Sequence, residues 1–354
     1  LFTLFFGGFT ITHLRGAEQT ESRPNFLFVI ADDCTFRDIG CYGGQALTPN
    51  IDSLAQQGMR FTHCFQQAPM CSPTRHAIYT GIYPVKSGAY PNHTFVKDGT
   101  KSVAHYLKPL GYRVHLSGKT HIGPKSSFPF EYSGKKNPDF KAIDQLFTES
   151  SRDGTPFCLF ACSNEPHGPW NKGDASQYDS STITLPPYFV DTKETRENMV
   201  DYLAEITYMD SQVGELLALL KETKNSDNTL VLFTSEQGAQ FPGCKWTNWD
   251  NGLHTSLVAR WPKKITSGRT NAIVQYADIL PTILELSGSK PNPKTFDGRS
   301  FAGVLLGEDS HHRDYAFGMH NNYPEGPTYP IRSITNGKWR YIRNLSHASL
   351  YIEK

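Results

Sequence analysis

The stretch Asn25-Phe26-Leu27-Phe28-Val29-Ile30-Ala31-Asp32-Asp33 decides the architecture. Residues 26–31 form a continuous apolar run without alternation. Such a run suits a strand buried on both faces, as in a parallel sheet covered by helices. It leads straight into two adjacent carboxylates. In open α/β sheets ligands bind beyond the carboxyl ends of the strands, so Asp32-Asp33 marks the edge where chemistry is expected.

Outward from this run the chain alternates strand and helix. Residues 51–57 predict a short helix capped by Asn50 and stopped by Gly58. Pro73 suits the first turn of a helix beginning near Ser72. Cys71 then stands at a helix N-terminus, where the dipole and free amides favour an anion. A helix over 103–110 precedes a strand near 112–116, and 156–161 is a second buried strand. Residues 196–222 place Met199, Leu203, Ile206, Met209, Val213, Leu216, Leu217 and Leu220 at helical spacing, a core-facing stripe. Strands are expected at 229–234 and 256–261, and a helix over 277–287, kinked or started at Pro281. Asn336-Gly337, between 331–335 and 338–343, signals a two-residue hairpin. The Gly-, Pro-, Ser- and Asp-rich segments 126–139 and 168–187 read as loops over the active face. There is no internal repeat and no low-complexity tract. The fold class expected is α/β, a mostly parallel sheet sandwiched between helices, with an antiparallel element from about residue 310. Residues 21–305 are expected to form the catalytic domain. Residues 306–354 would begin a smaller C-terminal subdomain, left incomplete by the end of the chain.

The 354 residues carry a net charge of +1, with 38% hydrophobic and 19% charged residues, as a soluble protein with a sizeable core does. This balance leaves no electrostatic footprint for nucleic acid. Short basic clusters such as Lys135-Lys136 and Lys263-Lys264 read as solvated surface. Residues 1–20 begin apolar (Leu1-Phe2-Thr3-Leu4-Phe5-Phe6) and lead to Arg15-Gly16-Ala17-Glu18, which reads as the remnant of a secretory signal cleaved after Ala17. The segment is too short and interrupted to span a membrane. A periplasmic or secreted location is therefore expected. The seven cysteines (34, 41, 64, 71, 158, 162, 244) lack paired C-x-x-C spacing, which argues against zinc. Export permits disulfides, and Cys34 and Cys41 are close enough in sequence to pair; buried free thiols fit equally.

Polar residues gather where the strands end. The first strand meets Asp32-Asp33. The strand near 115 meets Gly118-Lys119-Thr120-His121, that at 156–161 meets Asn164-Glu165-Pro166-His167, and that at 229–234 meets Ser235-Glu236-Gln237-Gly238. Asp32, Asp33 and Glu236, with the amide oxygen of Gln237, make a hard oxygen set that suits Ca²⁺ or Mg²⁺ rather than zinc or copper. Arg75 lies one helical turn beyond Cys71 and can reach back to its side chain. Lys119, His121 and Lys245 offer charge-assisted donors to an anionic group. His167 is a candidate general acid. Taken singly each has a plainer reading. Asp and Ser favour turns and caps, a lone histidine usually sits at the surface or satisfied in a core, and Lys245 alone would be a solvated surface lysine. Four strand ends together, with the Cys71 helix start among them, carry the reading.

Cys71-Ser72-Pro73-Thr74-Arg75 is a C-x-P-x-R pentapeptide, and with the upstream Asp-Asp pair it is highly specific. With Arg23-Pro24-Asn25, Thr48-Pro49-Asn50-Ile51-Asp52, Thr80-Gly81, Pro166-His167 and 234–238, the chain resembles the type I sulfatases of the alkaline phosphatase superfamily from about residue 23 onward. Within the family, Gly118-Lys119-Thr120-His121-Ile122-Gly123-Pro124, Pro187-Tyr188-Phe189-Val190 and Tyr208-Met209-Asp210 look most like sulfamidases, the heparan N-sulfatases. The resemblance implies an alkaline-phosphatase-like sandwich. It implies that Cys71 is oxidised to formylglycine, whose hydrate is the nucleophile, by a formylglycine-generating enzyme during maturation. Asp32, Asp33, residue 71, Glu236 and Gln237 would hold one Ca²⁺. Arg75 and His121 would orient the gem-diol, with His121 helping to deprotonate it as sulfate leaves. Lys119 and Lys245 would bind sulfate oxygens, and His167 would protonate the departing atom. Lys245 is carried over on local spacing alone. The family has Asp followed by Asn or His where this chain has Glu236-Gln237; both arms are one methylene longer and keep the oxygen donor.

The expected function is hydrolysis of sulfate esters or sulfamates on a glycan, with N-sulfoglucosamine as one substrate and O-sulfated marine or gut polysaccharides as the alternative. A phosphatase or phosphodiesterase of the same superfamily would commonly use Ser or Thr and two zinc ions, against the Cys71 and oxygen-rich set here. A non-catalytic glycan-binding protein has only the Glu236-Gln237 change in its favour.

Overall fold

The computed structural model describes residues 23–321 and 328–346. The expected signal segment, residues 1–20, lies outside them. One sheet carries the architecture. Its strands are β1 (Asn25–Asp32), β2 (Met59–Phe65), β3 (Arg113–Gly118), β4 (Glu131–Ser133), β5 (Phe157–Cys162), β6 (Thr229–Glu236), β7 (His254–Arg260) and β8 (Gly268–Gln275). They lie in the order β4-β3-β5-β1-β6-β7-β2-β8. Only β7 runs against its neighbours β6 and β2; the remaining pairs are parallel. The carboxyl ends of β1, β2, β3, β5 and β6 therefore share one edge. The register brings Asp32 level with Glu236.

The central strand is buried along its whole length, as its unbroken apolar run requires. Successive side chains point to opposite faces. Phe26, Phe28 and Ile30 pack with Ile78 and Tyr79 of the helix Cys71–Thr80 and with Ile279 and Ile283 of the helix Ile279–Leu286. Leu27, Val29 and Ala31 pack with Met199, Leu203 and Ile206 of the helix Lys193–Glu222, and with Ile143 and Phe147 of the helix Phe140–Asp153. Two cores on two faces make the α/β sandwich the sequence predicts. A second sheet follows, β9 (Ala316–His320), β10 (Ile331–Thr335) and β11 (Arg340–Asn344), antiparallel in the order β11-β10-β9.

Some local expectations are corrected. Asn50 does not cap the first helix, which runs Pro49–Gln57. Asp210, from the long helix, does that work: its carboxylate accepts the Asn50 and Ile51 amides at 3.1 and 2.8 Å and the Asn50 side-chain amide at 2.8 Å. Pro281 sits in the first turn of its helix, which begins at Ile279, in keeping with a helix started near the proline. The hairpin at Asn336-Gly337 forms, but β11 begins only at Arg340, because Asn336 Oδ1 gathers the Lys338 and Trp339 amides into the turn. All seven cysteines are free thiols. Among the described residues no helix is long and apolar enough to cross a membrane.

Asp210 is buried, and its removal strands two helix-start amides. Asp210→Ala is expected to lower unfolding stability by about 1–3 kcal/mol, measured by urea denaturation, and Asp210→Asn by less; an unchanged midpoint in both would contradict this capping role.

Candidate active site

Strand direction and burial together build the site. Asp32 is the last residue of β1 and Asp33 follows it; Glu236 is the last residue of β6 and Gln237 follows it. Cys71 is the first residue of the helix Cys71–Thr80, all of whose residues are buried. Thr74 secures that entry by donating its hydroxyl to Ala68 O at 2.7 Å, with Gln66 Oε1 3.1 Å from the same hydroxyl. The same Gln66 oxygen accepts the Gln237 amide at 2.9 Å, tying the β6 exit to the helix start. Lys119 leaves β3 through Gly118. That glycine has φ +99°, and a Cβ there would lie 2.1 Å from the Cys162 carbonyl oxygen. Only glycine lets β3 turn so close to β5.

These exits converge. Ligand atoms of Asp32, Asp33 and Cys71 lie within 4.8 Å of one another, all buried. Gln237 Nε2 lies 2.7 Å from Asp33 Oδ1, 3.3 Å from Asp32 Oδ1 and 2.9 Å from Cys71 Sγ. Lys119 pairs with Asp32 and stands 3.9 Å from Cys71 Sγ. Lys245 Nζ reaches Asp33 Oδ2 at 2.7 Å, and His167 Nε2 lies 3.5 Å from the same oxygen. Cys71 forms the floor at 2% exposure, while His167, with 30% of its side chain exposed, forms part of the rim.

Arg75 makes its hydrogen bonds to groups other than the Cys71 thiol. Its guanidinium is taken up by Glu236 Oε1 (2.7 and 3.1 Å) and by the Lys119 carbonyl oxygen (2.9 Å), with both side chains of the ion pair fully buried. The longer Glu236 arm thus meets Arg75 from across the site. Its second oxygen, Oε2, is buried without a hydrogen-bond partner, as is Gln237 Oε1.

Burial pushes the Cys71 thiol up to about 12, against the pull of Lys245. Burial draws the Lys119 ammonium down to about 8 although Glu236 favours its charge. Burial works against the charge of Lys245 as well, but Asp33 and Cys71 outweigh it and hold its pKa above the usual lysine range. His121 is drawn down to about 2 by burial and by the nearby Lys119 and Arg75 charges, so it is neutral. Burial likewise lowers His167.

Lys245, which carried the weakest sequence signal, is buried against Asp33. His93 was not anticipated: its Nδ1 lies 2.7 Å from His121 Nε2. Backbone conformation offers an independent marker. Of the seven non-glycine residues with positive φ among the described residues, Asp33, His93, His121 and Gln237 belong to this site, and Trp246 adjoins Lys245. Such conformations cost about 1–3 kcal/mol each and gather at functional sites.

Arg75→Met would leave Glu236 buried without its partner. It is expected to destabilise the fold by about 3–5 kcal/mol in denaturant unfolding. A double Arg75→Met/Glu236→Leu variant should recover much of that loss; equal losses in both would show that the pair is not the cause.

Residues 24–289 match the Sulfatase family model, and 244–351 match the model of the N-sulphoglucosamine sulphohydrolase C-terminal region. An ulvan-active sulfatase of Formosa agariphila is 34% identical over 94% of this chain and 68% of its own length. Human N-sulphoglucosamine sulphohydrolase is 26% identical over 92% of this chain and 74% of its own. Among solved structures, the Bacteroides fragilis protein yidJ superposes with a TM-score of 0.81 at 20% identity, over 93% of this chain and 88% of that one. A structure of BT4656 in complex with its substrate D-glucosamine-2-N,6-O-disulfate superposes with a TM-score of 0.73 at 20% identity, over 90% and 88%. The fold is therefore alkaline-phosphatase-like, and the chain belongs to the sulfatase family, among the type I sulfatases.

Proposed function

We propose that this chain hydrolyses sulfate esters or sulfamates of a glycan, with a reactive group made from Cys71. The observation that carries the reading is the seat of Cys71: a buried side chain at a helix start, within 4.8 Å of two carboxylates and beneath two lysines. As an ordinary thiol it would be a poor nucleophile, since burial keeps it protonated. Oxidation to formylglycine and hydration would supply one hydroxyl to attack sulfur and a second to expel sulfate.

The residues fit one Ca²⁺. Two buried oxygens, Glu236 Oε2 and Gln237 Oε1, lack partners, and buried polar atoms ordinarily have one. The Gln237 amide can present either its oxygen or its nitrogen to the cluster by a half turn. Asp32, Asp33, Glu236, Gln237 and residue 71 would hold the ion, an oxygen-rich set of the kind calcium takes. The ion would lower the cost of gathering negative charge around a sulfate group.

The protein's own side chains do the rest. Lys119 and Lys245 offer donors to sulfate oxygens. Arg75 orients the site through Glu236 and the Lys119 carbonyl. His121, neutral, can accept a proton from a hydroxyl at residue 71. His167, part-exposed beside Asp33, can give a proton to the departing oxygen or nitrogen.

Two relatives support two sugars. The likeness to human N-sulphoglucosamine sulphohydrolase favours N-sulfoglucosamine, and the higher identity to the ulvan-active sulfatase favours an O-sulfated marine polysaccharide. Sulfate release from N-sulfoglucosamine, 6-O-sulfated glucosamine and ulvan oligosaccharides separates them. Release from none of these, nor from an aryl sulfate, by protein produced in a formylglycine-competent host would sink the proposal.

Mass spectrometry of the peptide spanning residue 71 should find an aldehyde in such a host, and Cys71→Ala should cost about a thousandfold or more in turnover. Saturating Ca²⁺ should stabilise the protein by about 2–3 kcal/mol, read as a thermal shift reversed by chelator; Gln237→Leu should lose most of it. His167→Ala should slow poor leaving groups by about 10²-fold or more and an activated aryl sulfate far less. Equal losses on both substrates would count against the proton-donor role.

A further inference from the structure

His93 and His121 form a close imidazole pair. The loop bearing His93 is docked on the helix that starts at Cys71. Asn92 Oδ1 accepts the Ser72 amide at 3.4 Å, and the Thr94 carbonyl accepts the Ser72 hydroxyl at 3.3 Å. His93 and His121 both hold left-handed backbone, φ 57° and 51°. Their rings sit 4.6 Å apart between centroids. One hydrogen must lie between His121 Nε2 and His93 Nδ1, at 2.7 Å.

The buried end of His121 fixes where that hydrogen belongs. Its Nδ1 is buried and has no hydrogen-bond partner. An orphaned buried N–H is rarer in proteins than an orphaned acceptor. The charges around this ring are cationic: Lys119 and Arg75, with His93 and His76 as its titratable neighbours. Positive surroundings favour a lone pair over an N–H. His76 does not compete for His121, because its own nitrogens are engaged by the Ser72 carbonyl at 2.7 Å and by Gly123 at 3.2 Å. His93 itself lies at the exposed side of the pair.

We infer that His93 is a positioning residue that accepts the His121 Nε2–H, fixes the His121 tautomer with a bare Nδ1 facing inward, and so prepares His121 as the base. His93 touches no reacting atom in this account; it acts through His121, as an acceptor behind a metal-bound or catalytic imidazole does. The inference rests on the proposed sulfatase reaction for its kinetic consequence, but not for the tautomer itself.

Two measurements test it. The first needs no substrate: ¹⁵N NMR of histidine-labelled protein should show His121 as the Nε2–H tautomer in wild type and in His93→Asn, whose amide oxygen can replace the acceptor. His93→Leu should shift His121 toward the Nδ1–H form. The second is steady-state kinetics on an aryl sulfate. His93→Leu should lower kcat by about 10- to 100-fold with KM changed less than about twofold; His93→Asn should recover most of the rate. His121 found as Nδ1–H in the wild type, or His93→Leu matching wild type in kcat, overturns the inference. A wild type that hydrolyses no sulfate ester would defeat the proposed function instead, and the NMR result would still decide the pair.

Discussion

Three carboxylates, Asp32, Asp33 and Glu236, are driven into one dry corner by the ends of two neighbouring strands, and the rest of the site answers that charge. Burying a carboxylate is costly unless it is paired and hydrogen-bonded. Three cations meet them: Lys119 on Asp32, Lys245 on Asp33 and Arg75 on Glu236. The three come from separate parts of the fold: a strand exit, a late loop and the helix that begins at Cys71. The cluster can therefore form only once the sheet, the helix and that loop are all in place. It stabilises nothing cheaply, and such concentrations of opposed buried charge mark functional sites.

The sheet makes this possible. Because β1, β2, β3, β5 and β6 point the same way, one edge collects the side chains of five strand exits. Two apolar cores, one on each face, hold that edge rigid. The positive-φ residues of the site lie just beyond this scaffold, where packing on both sides can hold an unfavourable backbone. The site is thus prepared by the fold before any ligand arrives, as electrostatic catalysis requires.

How much of this was legible in the sequence follows from what each residue's signal depends on. The central strand, the long helix and the hairpin turn announce themselves through local pattern, because an unbroken apolar run, a helical stripe and Asn-Gly each have a local physical cause. The strand exits were legible for the same reason: each follows such a run. β2, β4 and β8 were missed; β4, three residues at the sheet edge, lies inside the segment 126–139 expected to be a loop. In β2, Arg60, Thr62 and His63 interrupt the apolar pattern, and the first half of β8 is polar and largely exposed near the sheet edge. The helix Phe140–Asp153 carries buried Ile143, Leu146 and Phe147 on a polar background and follows a loop-like stretch, so its period went unread. Contacts between distant segments left no local trace. Asp210 capping a helix 160 residues away, Arg75 pairing with Glu236, and His93 meeting His121 are all set by tertiary packing. Local spacing alone pointed to Lys245, the weakest signal among the site residues.

The account stands on one claim, that residue 71 and the carboxylate corner share a single hard cation. A crystal structure of the mature protein grown with Ca²⁺ tests it most directly. The account predicts one ion with oxygen ligands at about 2.3–2.6 Å drawn from Asp32, Asp33, Glu236, Gln237 and an oxidised residue 71. An unmodified cysteine beside a corner that takes no ion at saturating calcium would contradict it.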